Sequence, residues 1–294
     1  MTPRLLPTLA CLVLCAGCSG TSPPRAAAGP RPFVNPESEI GYHVLMGELA
    51  AERGDQATAA GEYLQASKLS SDASLAGHAA LLAYGTPDTA GALAAAERWQ
   101  TLAPQSADAG HFVAVLRARI GDAAGSANQF QALLRGGLDK TYATAAELLE
   151  DETDAPHAMP VLQRLVEDAS QSADAHYAFA HAAMHYRHFS DAVDEARRAY
   201  ALDPSSDSIL VLLARALANS GRRDEALAQL EPRVRASPDD LSLHLAYAAL
   251  LADASRYGAA RSELETVLKA HPGNADVLYT LGLLALQDKD LGVA

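Results

Sequence analysis

The sequence predicts an all-α protein built from stacked helical hairpins, and three observations support this prediction. The 294-residue chain is 49% hydrophobic but only 5% aromatic. About a fifth of its residues are alanine, the best helix former, whereas strands favour aromatic and β-branched side chains. Small residues and prolines also recur about every 34 residues, a period typical of helical solenoids.

The first 17 residues are predicted to be a signal peptide. Arg4 is followed by an apolar run, and small residues precede Cys18. The run is too short to span a membrane as a helix. All three cysteines, at positions 11, 15 and 18, lie in this region, so we expect no disulfide in the mature domain.

The segment Leu14-Cys15-Ala16-Gly17-Cys18 resembles the bacterial lipobox. The resemblance implies cleavage after position 17 and lipidation of Cys18, and a plain secreted protein is the alternative. Acyl chains would tether the product to a bilayer. Residues 18–39, with five prolines, are predicted to be a lipidated cysteine and an extended stalk. Ser19 is not the aspartate that retains lipoproteins in the inner membrane, so this family resemblance implies the outer membrane, facing the periplasm.

Small residues occupy two equivalent positions in every repeat. The first series is Gly47, Ala80, Ala114, Ala146, Ala180, Ala214, Ala248 and Gly282. The second series, twelve residues later, is Ala59, Ala92, Ser126, Ala158, Ala192, Ala226, Ala260 and Ala294. We expect the two helices of each hairpin, helix A and helix B, to approach each other at these positions, where a larger side chain would not fit.

Turn and packing residues fit the same hairpin. Gly54, Gly121 and Gly221 are expected to end helix A. Prolines at positions 204, 238 and 272 would end helix B, because the residue before proline avoids the α region. Larger helix B residues should fill the space against the next unit: Tyr63, Phe130, Leu162, Leu230 and Leu264.

This pattern resembles the tetratricopeptide repeat (TPR), with Gly or Ala at repeat position 8, Ala at 20 and Pro at 32. The resemblance implies a right-handed superhelix with seven full repeats and a partial eighth. We divide it into N-terminal, partly degenerate units over 40–172 and regular units over 173–294. Pro156 and Pro160 lie near the start of a second helix, and Pro232 should kink another.

The array stops a few residues into a predicted second helix. Leu278, Leu281, Leu284 and Leu286 are therefore expected to lack a cover. We interpret the chain as a fragment of a longer protein, with a covering subunit as the alternative.

Charge and motifs exclude several function classes. The chain has 23 basic and 36 acidic residues and a net charge of −13, which argues against a nucleic-acid partner. The patterns G-x-x-x-x-G-K-[ST], H-E-x-x-H and G-x-S-x-G are missing from the sequence. We therefore expect neither an enzyme nor a bound cofactor.

Four histidines, at positions 176, 181, 185 and 188, crowd one predicted hairpin. His181 and His185 are one helical turn apart, a spacing that could chelate a transition metal. The alternatives are histidines facing a wet groove beside Tyr177 and Met184, or a pH-sensitive groove. Because no cysteine joins them and Asp191 lies past the turn, we expect no metal site.

The TPR resemblance implies that helix A side chains line a concave groove. Its predicted residues are Tyr177, His181, Met184, His185, Val211, Arg215, Asn219, Leu245, Ala249 and Asp253. Their mixture of apolar and charged side chains suits an extended or helical protein segment. The groove lacks the Lys/Asn/Arg clamp of chaperone-binding TPR domains.

Residues 42–55, together with Ala60 and Tyr63, resemble the first repeat of a group of proteobacterial TPR lipoproteins. That group includes the partner of a carboxy-terminal processing protease that delivers peptidoglycan hydrolases for degradation. The resemblance implies a periplasmic adaptor with the protease and hydrolases as partners. The alternative is a pilotin-like assembly factor for an outer-membrane pilus, secretion or barrel machine.

Overall fold

The computed structural model of the protein describes residues 35–139 and 141–287. These residues form helices and turns, with no strand among them. The helices are α1 (Pro36–Glu52), α2 (Gln56–Leu69), α3 (Ala73–Tyr84), α4 (Thr89–Leu102), α5 (Ala107–Arg119), α6 (Ala123–Arg135), α7 (Tyr142–Glu152), α8 (Ala155–Asp168), α9 (Ala173–His185), α10 (Phe189–Leu202), α11 (Asp207–Asn219), α12 (Arg223–Ala236), α13 (Leu241–Asp253), α14 (Tyr257–Ala270) and α15 (Ala275–Gln287). The all-α prediction is confirmed. The signal peptide, Cys18, most of the stalk and Ala294 lie outside the described residues.

Short polar residues start most of the helices. Ser106, Ser172 and Ser206 each accept a hydrogen bond from the backbone N–H three residues later, and Asp55, Asp122 and Asp240 do the same. Such a cap satisfies one of the amide groups left unpaired in the first turn, and is worth about 1 kcal/mol. The local sequence therefore fixes where these helices begin.

The paired small residues lie where the two helices of a hairpin meet. Every member of the two series from Gly47 to Ala260 is buried. A Cβ added at Gly47 would lie 3.0 Å from the Tyr63 ring and 3.5 Å from the Ala59 carbonyl oxygen. The close approach predicted from the sequence is thus confirmed for the hairpin of α1 and α2, where only small residues fit.

The turns between helix A and helix B use left-handed backbone conformations. Gly54, Gly121 and Gly221 have φ values of 76°, 81° and 88°. Arg187 and Ser255 occupy the same turn position in two other hairpins, with φ values of 62° and 60°. These two residues adopt a conformation that costs a side chain about 1–2 kcal/mol relative to glycine.

The hairpin of α7 and α8 is irregular. Pro156 lies in the first turn of α8, where proline is tolerated, and Pro160 lies inside this helix. Although Ala146 and Ala158 are buried, α7 packs mainly on α9, and α8 packs mainly on α6.

Further along, α12 runs through Pro232 as one helix, so the kink expected there stays a prediction.

The last described helix is partly covered. Leu281 and Leu284 are buried, so the prediction that they lack a cover is wrong. They face back towards the preceding hairpin and join the core that runs along the array. Leu278 and Leu286 are exposed, as are Tyr279 and Leu283. The exposed apolar face of α15 is therefore the side away from α14.

Candidate functional site

Helices α7, α9 and α11, with the start of α13, form a groove from two adjoining depressions of about 440 and 450 Å³. His181 and Arg215 line both depressions, and Leu212 lies beneath both. Seven of the ten predicted groove residues line one or the other: Tyr177, His181, Met184, His185, Val211, Arg215 and Asn219. We call the first depression, which also contains Glu150, Arg187 and Phe189, the His–Arg pocket.

The other three predicted residues are not brought into this groove. Leu245 is half-buried against the core, and Ala249 is exposed on α13. Asp253 lines a separate depression at the turn edge, with Gly221 and Arg256. The site is therefore centred on α9 and α11, with α7 as the third wall of the first depression and the start of α13 as the third wall of the second.

Glu150 on α7 is a site residue that sequence reasoning missed. Its carboxylate accepts a hydrogen bond from His181 Nδ1 at 3.0 Å and lies 3.6 Å from His185 Nδ1. Only 9% of the Glu150 side chain is exposed, whereas about half of each histidine side chain is exposed. This hydrogen bond raises the pKa of His181 above its usual value, and the nearby Arg215 opposes the shift.

Arg215 contributes a positive charge to the groove. Its guanidinium has no hydrogen-bond or ion-pair partner among the described residues. Arg187 lies nearby at the turn, with its guanidinium 6.0 Å from the Phe189 ring centroid. The His–Arg pocket thus has two arginines against a single, largely covered glutamate.

The predicted histidine cluster separates into three places. His176 is buried, so the expectation that it faces a wet groove is wrong. Its position on α9 turns it towards α10, where Nδ1 lies 2.5 Å from Glu195 Oε2, and Nε2 lies 3.1 Å from the Ser170 carbonyl oxygen. His188 lies in the turn, with Nδ1 3.3 Å from Asp191. Only His181 and His185 therefore share the groove.

The His176–Glu195 contact recurs in two other hairpins. His43 pairs with Glu62 at 2.6 Å and His244 pairs with Glu263 at 2.5 Å, each over the same separation of 19 residues. The histidine is always the fourth residue of its repeat, and the glutamate is on helix B. The spacing of His and Glu in the sequence could have identified this pair, which ties helix A to helix B.

A second polar cluster holds the end of α7. The Arg119 guanidinium donates to the Glu152 carbonyl oxygen at 2.9 Å and to its carboxylate at 2.7 Å. The same carboxylate accepts from the Tyr84 hydroxyl at 2.6 Å, and Arg119 lies 4.1 Å over the Tyr84 ring. Burial, followed by this hydrogen bond, raises the pKa of Tyr84. The cluster joins α3, α5 and α7.

The described residues contain no group of three His, Cys, Asp or Glu side chains arranged to hold a metal ion. In the His–Arg pocket, the His181 nitrogen contacts the Glu150 carboxylate directly instead of converging with it on a separate position. Within the same part of the chain, no helix is long and apolar enough to cross a bilayer.

Comparison with known proteins identifies tetratricopeptide repeats in part of the chain. Residues 183–250 match the tetratricopeptide repeat family, and no curated protein matches the chain. A crystal structure of YrrB, a TPR protein with an unusual peptide-binding site, is 20% identical, covering 56% of this chain and 85% of that one, with a TM-score of 0.40. A TPR protein from Parabacteroides merdae is 12% identical over 84% and 99% of the chains, with a TM-score of 0.40. Pseudomonas aeruginosa pilF is 15% identical over 88% of each chain, with a TM-score of 0.37.

The matched segment runs from the second half of α9 to α13. It therefore includes α11 and the part of α9 that carries Met184 and His185. TPR repeats bind protein segments, so the fold indicates a protein–protein interaction scaffold.

Proposed function

We propose that the protein is a lipid-anchored periplasmic adaptor that binds segments of other proteins in the groove of α7, α9 and α11. The observation that carries this proposal is the groove itself. It combines apolar side chains, including Tyr177, Met184 and Val211, with charged side chains at its edges. An extended segment could bury apolar anchors there and satisfy its polar groups at the rim.

Two sequence features support the finer role. The lipobox-like segment ending at Cys18 supports anchoring to the outer membrane. The resemblance of residues 42–55 to a group of TPR lipoproteins supports delivery of cell-wall hydrolases to a carboxy-terminal processing protease. The groove would then bring the two proteins together.

Anchoring is tested by expressing the chain in a Gram-negative bacterium and fractionating its membranes. Mass spectrometry should find an acylated N-terminal Cys18, and Cys18→Ser should release the protein into the soluble periplasm. An unmodified Cys18, or a Cys18→Ser protein that still sediments with the outer membrane, would contradict the anchor.

Partner binding is tested by cross-linking and affinity purification from solubilised envelopes. The groove variant carries Tyr177→Ala, Met184→Ala and Val211→Ala. The matched control carries Ile120→Ala and Leu202→Ala, which are exposed apolar residues outside the groove. Circular dichroism checks that both variants keep their helical content.

The proposal predicts that a processing protease and cell-wall hydrolases co-purify with the parent and the control, and are depleted with the groove variant. Pilus, secretion or barrel components in their place would support the pilotin-like alternative. Equal recovery of every partner by the groove variant would refute binding at this groove.

A further inference from the structure

Resting on the proposed function, we infer that the His–Arg pocket selects protein segments by an aspartate or glutamate side chain, which binds Arg215 and the exposed edge of His181. The occupant is an internal acidic residue of an extended segment, next to a large apolar residue. The pocket opens into the second depression through shared residues, so a bound segment can continue past the acidic position.

Charge complementarity carries this inference. In a chain of net charge −13, the His–Arg pocket has two arginines and one glutamate before either histidine is protonated. Glu150 is covered and already accepts the Nδ1–H of His181. A partner carboxylate would therefore meet the Arg215 guanidinium, which has no hydrogen-bond or ion-pair partner among the described residues, and a guanidinium can bind a carboxylate with two parallel hydrogen bonds.

The histidines present donors to the same space. Because Nδ1 of His181 is turned to Glu150, Nε2 lies on the opposite edge of the ring, where no described residue bonds it. When the ring is protonated, Nε2–H can donate to a bound carboxylate. The charged groups facing His181 are Glu147 and Glu150 on α7 and Arg215 on α11, with His185 on the same helix.

The neighbouring depression shares Arg215 but is more acidic than the His–Arg pocket. It contains Asp207 and Asp240 beside Arg215. Asp207 already pairs with Arg233, and Asp240 caps α13 by accepting from the Leu243 amide at 3.0 Å. We therefore expect the acidic side chain of a partner to bind in the His–Arg pocket. The apolar residues beside it in the partner segment would contact Met184, Leu212 and Val211.

The experiment is selection of displayed random peptides on the mature chain, purified in detergent and at mildly acidic pH. The selected peptides should be enriched in Asp or Glu at one position beside a large apolar residue. Synthetic versions are then measured by fluorescence anisotropy on the parent, on Arg215→Met, and on Arg164→Met. Arg164 is an exposed arginine of α8 outside the groove and is the matched control.

Arg215→Met should weaken binding about tenfold, because the charged contact is lost while the aliphatic stem remains. Arg164→Met should leave the affinity unchanged, and an Asp→Asn or Glu→Gln change in the peptide should reproduce the loss on the parent. The inference is overturned if the selected peptides carry no acidic residue, or if Arg215→Met binds them as tightly as the parent.

Three results can be told apart. Loss of binding on amidation of the peptide's C-terminus, with no effect of the acidic side chain, would assign the pocket to a terminal carboxylate and refute the side-chain occupant. Enrichment of peptides that carry no acidic residue would refute the selection of an acidic side chain and would leave peptide binding in the groove intact. Failure to enrich any peptide would count against peptide binding in this groove, and would overturn this inference together with it.

Discussion

Replacing Glu195 with glutamine should destabilise the hairpin of α9 and α10 by about 2–3 kcal/mol. The side chains of His176 and Glu195 are 5% and 6% exposed, and their polar atoms are 2.5 Å apart. The other ring nitrogen of His176 lies 3.1 Å from the Ser170 carbonyl oxygen, so each ring nitrogen has a polar partner. Glutamine keeps the size of the side chain but removes the negative charge that strengthens its contacts with His176 and Arg198.

Removing the histidine alone should cost about 3 kcal/mol. His176→Leu would leave a carboxylate in a nearly water-free position, with the largely exposed Arg198 as its remaining partner. The chain itself provides a neutral alternative: Leu210 and Gln229 occupy the equivalent positions in the next repeat. The double variant His176→Leu/Glu195→Gln should therefore cost about 2–3 kcal/mol less than the sum of the single variants.

Native-state hydrogen exchange of α9 and α10 is the suitable assay, because a solenoid unfolds repeat by repeat and a single global transition would average the effect. Glu231→Gln is the matched control, since Glu231 pairs with Arg235 on an exposed surface and its loss should cost well under 1 kcal/mol. If Glu195→Gln costs no more than this control, or if the two single effects add within about 0.5 kcal/mol, the buried pair does not stabilise the hairpin as described.

Three other outcomes are expected. Glu150→Gln should lower the pKa of His181, seen in an NMR titration. The pairing with Glu150 raises the pKa of His181, so the stability it adds is present below the unfolded pKa of about 6.5 and is lost as the pH rises through the folded pKa. Glu150→Gln should therefore cost more stability at low pH than above neutrality. An equal cost at both pH values would contradict this prediction. Ser255→Gly should stabilise the chain by about 0.5–1 kcal/mol in denaturant titrations, since glycine adopts the left-handed turn freely; a loss of stability would show that its side chain is needed. Arg119→Met should speed amide exchange in α7 about tenfold, the effect of losing about 1.4 kcal/mol, whereas Arg117→Met on the same helix should not.

The hairpins could be predicted because their determinants are local and periodic. Gly54 and Gly221 mark turns that require positive φ, and the series containing Ala214 marks positions where two helices touch. Each repeat carries the same pattern of small residues and turn residues, so a wrong prediction in one repeat does not affect the others. The exceptions are Arg187 and Ser255, where residues other than glycine occupy the same left-handed turn position.

The site could be predicted only in part because its contacts cross repeats that are unequal. Glu150 is 31 residues from His181, in the preceding repeat, and the spacing of residues within the histidine hairpin does not point to it. His176 is next to Tyr177 in sequence, but successive residues on a helix point in different directions, and His176 faces α10. Which depressions join into one groove depends on packing between helices, and spacing within one unit does not contain that information.

The irregular hairpin explains why the His–Arg pocket occurs at this point of the array. Because α7 packs mainly on α9, it carries Glu150 directly against His181. Because α7 has little contact with α8, its position depends on α9 and on the contacts of Glu152 with Arg119 and Tyr84. Loosening α7 by Arg119→Met should therefore weaken the hydrogen bond to His181 and lower its pKa, although Arg119 lies outside the pocket and its own charge disfavours protonation nearby. An unchanged or raised pKa of His181 in this variant would show that packing on α9 alone holds Glu150 in place.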